Sequence, residues 1–120
     1  MYKILVVDDA NFMRMTIKKY LAKAGYTDFI ESADGQNATE IYVAEKPDLV
    51  ILDITMPVMN GLDALRVISQ NDPEAKVIMC TAMGQESMVM EAIHLGAMDF
   101  IVKPFKQERI AQTVSKVLPL

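Results

Sequence analysis

Histidine and cysteine are almost missing from this chain: His94 and Cys80 are the only ones. A single cysteine rules out a disulfide within the chain and fits a reducing, cytoplasmic setting. One histidine and one cysteine also leave no ligand spacing for zinc. His94 lies in a helical segment, too far from the strand ends for Ser–His–Asp chemistry. The five glycines are scattered, and none opens a GxxxxGK phosphate loop. Positive charge is in deficit, with 12 Lys and Arg against 16 Asp and Glu and a net charge of -4. Nucleic acid and anionic membrane are therefore not expected partners. No apolar stretch approaches the roughly 20 residues of a membrane span. The run after Met1-Tyr2-Lys3 is too short for a signal-peptide core and lacks a cleavage site.

What is present suits one globular unit over residues 1–120, because 120 residues with 52% hydrophobic content can bury a core without staples. Ten methionines are many, and most are expected to fill core gaps. Met88 and Met90 stand two apart in one helix, so at least one is expected at the surface.

Apolar runs of strand length alternate with segments of helical period. The strand candidates are 2–7, 28–32, 48–52, 76–80 and 98–102. The helix candidates are 11–24, 36–46, 61–70, 85–95 and 106–118, where apolar residues recur three or four apart, as at Ile110, Val114 and Val117. Gly25 and Gly96 follow helices, where left-handed caps are expected. Asn60-Gly61 reads as a turn into the third helix. Five βα units predict an α/β fold with a parallel sheet covered on both faces, and the continuous apolar strands agree. The second strand, Phe29-Ile30-Glu31-Ser32, is the most polar and is expected at an edge.

Four of the strands end in residues that handle phosphate or metal. Val7 leads to Asp8-Asp9, Leu52 to Asp53, Cys80 to Thr81, and Val102 to Lys103-Pro104. Open parallel sheets bind ligands beyond the carboxyl ends of their strands, where strand order reverses. Each residue alone has an ordinary role, as a helix cap, a turn or a surface lysine. Caps have no reason to converge on one sheet edge, however. Together the residues form a site able to bind a divalent cation and a phosphoryl group. The crowded carboxylates call for a hard cation such as Mg²⁺. Lys103 supplies a positive charge and Thr81 a hydroxyl for phosphoryl oxygens. Asp53, alone at the end of a central strand, is the best nucleophile, and the Asp8-Asp9 pair the better cation holder.

These residues resemble the receiver domain of two-component response regulators over essentially the whole chain. The matching segments are Val6-Val7-Asp8-Asp9, Asp53-Ile54-Thr55-Met56-Pro57 with Asn60-Gly61, Thr81-Ala82, and Lys103-Pro104-Phe105. Within that family, Ala10-Asn11-Phe12-Met13-Arg14 and Cys80-Thr81-Ala82-Met83-Gly84-Gln85 are similar to chemotaxis regulators of the CheY type. The resemblance implies a flavodoxin-like (βα)5 three-layer sandwich with a five-stranded parallel sheet in the order 2-1-3-4-5. It implies that Asp53 accepts a phosphoryl group from a histidine kinase of the CheA type. It implies that Mg²⁺ is held by Asp8, Asp9, Asp53 and the backbone carbonyl of Thr55, and that Thr81 and Lys103 bind the phosphoryl oxygens. Phe100 takes the place of the family's switch aromatic, with Thr81 as its partner, and lacks the hydroxyl of the tyrosine common there. The Lys103–Pro104 bond is expected to be cis, and Thr55 and Met83 are expected to tune the phosphate lifetime.

The chain ends at Leu120, just after the fifth helix, so no output domain is expected and the signal would leave through a protein surface. The expected face is the fourth helix, fifth strand and fifth helix, near Met90, His94, Phe100 and Gln107. The expected partner is a flagellar motor switch protein, with a phosphatase as a further partner and the chain itself a monomer. The alternative is a phosphorelay intermediate that passes phosphate to a histidine phosphotransferase. An aspartate-nucleophile phosphatase is disfavoured because Thr55 stands where such an enzyme carries its second acid. The chain is thus expected to assist only its own phosphorylation and dephosphorylation, and not to be an enzyme.

Overall fold

The computed structural model describes all 120 residues. Five strands alternate with five helices: β1 (Lys3–Val7), α1 (Asn11–Lys23), β2 (Asp28–Ser32), α2 (Gly35–Glu45), β3 (Leu49–Asp53), α3 (Gly61–Asn71), β4 (Val77–Ala82), α4 (Glu86–His94), β5 (Asp99–Lys103) and α5 (Gln107–Val117). All neighbouring strands are parallel, and the sheet order is β2-β1-β3-β4-β5. The polar second strand is at an edge, as its composition predicts. The helix bounds fall within one residue of those read from periodicity.

Side-chain alternation along each strand divides the interior into two cores. Leu5, Val7, Val50, Leu52 and Met79 point to one face, under Ala38 and Tyr42 of α2, Leu65 and Ile68 of α3, and Val89 and Ala92 of α4. Ile4, Val6, Leu49, Ile51 and Ile78 point to the other, under Ile17 and Leu21 of α1 and Ile110 and Val114 of α5. With both faces covered, the central strands need apolar residues at every position, and β3 is buried throughout.

Three strands run one or two residues further than the sequence suggests. Ladder pairing continues through Asp53↔Cys80, Thr81↔Val102 and Ala82↔Lys103. Asp53 and Lys103 are thus the last residues of their strands, and Thr81 the last but one. They are fixed by the sheet rather than carried on loops.

Gly25 and Gly96 take left-handed backbones, at φ 103 and 114. Gly61 is required for a different reason. A Cβ there would collide with the Asp53 carbonyl oxygen and lie 2.8 Å from the Ile54 Cα. Its absence lets α3 start directly against the end of β3, where the Gly61 N–H donates to the Ile54 carbonyl at 2.7 Å. Asn60 caps the helix, its side chain accepting from the Asp63 N–H at 2.9 Å.

Val58, in the same β3–α3 connection, is left-handed at φ 68 and 85% exposed. A branched Cβ is costly there and gains nothing from burial. Val58→Asn is expected to raise the unfolding free energy by about 1 kcal/mol, read as a shifted urea midpoint at constant m-value.

Candidate functional site

The strand order reverses at β1: the chain leaves β1 for β2 on one side and returns to β3 on the other. Asp8 and Asp9 follow β1 and Asp53 ends β3, so both sides of that crevice carry acid. Carboxylate oxygens of Asp8, Asp9 and Asp53 lie within 4.8 Å of one another. Asp8 is 1% exposed and Asp53 7%, while Asp9 is open to solvent. Lys103 reaches in from the edge strand β5. Its Nζ is 2.8 Å from Asp8 Oδ2 and 3.2 Å from Asp53 Oδ1.

None of these acids caps a helix. The N-cap of α1 is Ala10, that of α3 is Asn60 and that of α4 is Gln85. Asp8 Oδ1 accepts from the Ala10 N–H at 2.9 Å, which orients the carboxylate, and Oδ2 is taken by Lys103. Both Asp8 oxygens are therefore engaged. Asp53 has only the Lys103 contact on Oδ1, and its other oxygen has no protein donor and is not sealed from solvent. Asp9 also lacks a protein donor, but it stands in solvent and away from Lys103, so Asp53 is the sheltered carboxylate with an oxygen free to attack.

Electrostatics follow from this crowding. Burial, and then the Asp8 charge, push the Asp53 carboxyl up to about 6 from 3.8, although Lys103 pulls the other way. Burial acts to lower the Lys103 ammonium, but its hydrogen bond to Asp8 and the Asp53 charge outweigh that and raise it. One lysine offsets one of three acids. The remaining negative charge, held largely out of water, suits a divalent cation with oxygen ligands. Thr55 lies in the exposed connection beside Asp53, and none of the loop hydrogen bonds ends on its carbonyl.

Thr81 is 1% exposed. Its Oγ1 lies 3.0 Å from the Ala82 carbonyl and 3.1 Å from Gln85 Oε1. Phe100 is half-buried and, with Thr81, Met83, Val89 and Met90, lines a cleft of about 470 Å³ between β4, α4 and β5. The Lys103–Pro104 bond is cis. Met88 and Met90 are both exposed, as is His94. Gln107 is placed differently from the sequence expectation. Its amide donates to the Tyr20 carbonyl on α1 at 3.4 Å, because the start of α5 packs toward α1.

Two contributors carry little sequence signal. Arg14, one turn into α1, donates to the Asp8 carbonyl and pairs with Glu31 at 3.0 Å, holding the connection that carries the acids. Gln85 bonds at once to the connection after β3 and to the end of β4. Neither sits at a strand end, where the chemistry is concentrated, and only the three-dimensional packing brings them in.

The response regulator receiver domain family matches residues 4–115. The chain belongs to that family. It is 53% identical to the chemotaxis protein CheY of Thermotoga maritima over 115 residues, 96% of each chain. It is 55% identical to protein CcdB of Bacillus subtilis over 118 residues, 98% of each. Its fold matches a crystal structure of a CheX–CheY–BeF3–Mg complex from Borrelia burgdorferi with a TM-score of 0.92, at 35% identity over 99% of this chain and 90% of that one. The chain is a CheY-type chemotaxis response regulator with an acidic pocket at Asp8, Asp9 and Asp53. No helix is long and apolar enough to cross a membrane.

Proposed function

We propose that Asp53 accepts a phosphoryl group from a phosphohistidine of a CheA-type kinase. In that step the N–P bond breaks with its electron pair going to nitrogen, an Asp53 Oδ–P bond forms, and the imidazole leaves neutral where its other ring nitrogen already carries a proton and otherwise takes one up from solvent. The observation that carries the reading is the convergence of three acids at the carboxyl edge of the sheet, two of them on Lys103, with Asp53 keeping a sheltered free oxygen. Asp8, Asp9, Asp53 and the Thr55 carbonyl would hold Mg²⁺. When bound, the cation neutralises charge on the carboxylates and the phosphoryl oxygens. Lys103 and the Thr81 hydroxyl bind phosphoryl oxygens, and Thr81 couples the charged site to Phe100. Residues 1–120 act as one receiver unit, a cytoplasmic monomer whose phosphorylated form binds a flagellar motor switch protein and whose phosphate a partner phosphatase removes.

The output face is α4, β5 and α5, where Met90, Ile93, Met98 and Val102 lie exposed. A flagellar-switch peptide is expected to bind at least about tenfold more tightly with beryllofluoride and Mg²⁺ present than without them. Equal affinity in both conditions would overturn the motor reading. Transfer of label from the phosphorylated chain to a histidine phosphotransferase would favour the phosphorelay alternative.

A further inference from the structure

Gln85 occupies the residue just before α4, yet its side chain does not cap that helix. It turns back instead. Its Oε1 accepts from the Ala82 N–H at 2.7 Å and lies 3.1 Å from Thr81 Oγ1. Its Nε2 donates to Thr55 Oγ1 at 2.9 Å. The amide orientation is not arbitrary, because the Ala82 N–H can only donate and so requires the oxygen on its side. One side chain on the α4 shoulder therefore ties the connection after β3, which holds the Thr55 carbonyl, to the end of β4, which holds the Thr81 hydroxyl.

A threonine hydroxyl has one hydrogen to donate. In the structure, both acceptors within reach of Thr81 Oγ1, the Ala82 carbonyl and Gln85 Oε1, belong to the Ala82–Gln85 side. Donation to a phosphoryl oxygen on Asp53 and donation to Gln85 are mutually exclusive. We propose that Gln85 is a positioning residue of the phosphorylation site: its amide holds the Thr81 hydroxyl and the Thr55 side chain in the unphosphorylated arrangement, and phosphorylation of the site requires Thr81 to leave it. This rests on the reading of Asp53 as phosphoacceptor. Gln85 does not touch the reacting atoms. It sets how readily Thr81 reaches them, so its removal favours the phosphorylated state.

The test is titration of the protein with beryllofluoride at fixed Mg²⁺, followed by ¹⁹F magnetic resonance, for wild type, Gln85→Leu, Thr55→Val and the double variant. Losing the net worth of one neutral hydrogen bond predicts that Gln85→Leu binds beryllofluoride about fivefold more tightly than wild type. Without beryllofluoride, its Thr81 and Ala82 amide signals should move part of the way toward their bound positions, a change that loss of packing alone would not produce. Thr55→Val cuts the same chain of bonds at its far end. Its effect should be smaller and should not add to that of Gln85→Leu. Thermal melting checks each fold, and Gln85→Ala carries the same expectation should the leucine variant not fold. Unchanged or weaker binding by the Gln85 variants, or additive effects, would overturn the brace while leaving Asp53 as acceptor intact. Failure of the wild type to bind beryllofluoride would overturn both.

Discussion

Asp53→Asn is expected to reduce labelling by acetyl phosphate to background, on the order of a thousandfold or more, about 4 kcal/mol in barrier. The amide has no charged oxygen to attack phosphorus, and the other two acids are poor substitutes. Both Asp8 oxygens are engaged, by the Ala10 N–H and by Lys103. Asp9 is solvent-exposed, and Lys103 contacts Asp8 and Asp53 but not Asp9. A chelator is expected to silence the wild type in the same assay, because Lys103 alone leaves the pocket with excess negative charge. Phosphorylation detected by mass on another residue of Asp53→Asn, at the wild-type rate, would refute the assignment.

The same substitution is expected to stabilise the metal-free protein at neutral pH, and this gain has a defined pH window. Asp53 is raised from 3.8 to about 6 in the folded chain, chiefly by burial and then by Asp8. Below the unfolded value the carboxyl is protonated in both states, and aspartate and asparagine cost the same. As pH rises through the folded value, the native state must give up a proton it holds more tightly than the unfolded chain, and stability falls. At pH 7, Asp53→Asn is therefore expected to be about 1–2 kcal/mol more stable, a figure discounted for partial solvent screening. The difference should shrink through pH 6 and vanish near pH 4 in urea titrations. Added Mg²⁺ should stabilise the wild type and leave the asparagine variant nearly unmoved. A pH-independent difference between the two would show that the carboxylate is not under electrostatic strain.

The two largest effects both fall on a residue that the sequence singles out, and the reason is physical. Strand ends are legible because a buried parallel strand needs an unbroken apolar run, so the first polar residue after it, such as Asp53 or Thr81, marks the carboxyl edge. Helix faces were legible from spacing, as at Ile110 and Val114, which lie under the same core. The exact end of each strand was not. Asp53 and Lys103 remain in the ladder because backbone pairing does not depend on whether a side chain is apolar. The strand order came from family likeness, since alternation of βα units says that the sheet is parallel but not which strands are neighbours. Contacts between connections were the least legible. Gln85 reads as an ordinary polar residue opening a helix, and Gln107 as part of an outer face. Their partners, Thr55 and Tyr20, lie far along the chain. The strain at Val58 has no trace in composition, because valine is the last residue that a left-handed position would suggest.

α4 is the shortest of the five helices, with nine residues, and only Val89 and Ala92 are buried. α3 buries five residues over eleven. α1 also buries only two, but Ile17 and Leu21 are both large and sealed, whereas Ala92 is small and Val89 is at 8% exposure, so in terms of local stability little burial holds α4 in place. Opening it exposes little apolar area and leaves the α1–α5 core on the opposite face untouched, so its free energy of local opening lies well below that of the whole domain. Amide hydrogens of α4 should therefore exchange with solvent ahead of those in β1 and β3. A small change at the end of β4 can then be answered by a helix that is cheap to shift, without loosening the sheet that holds the acids.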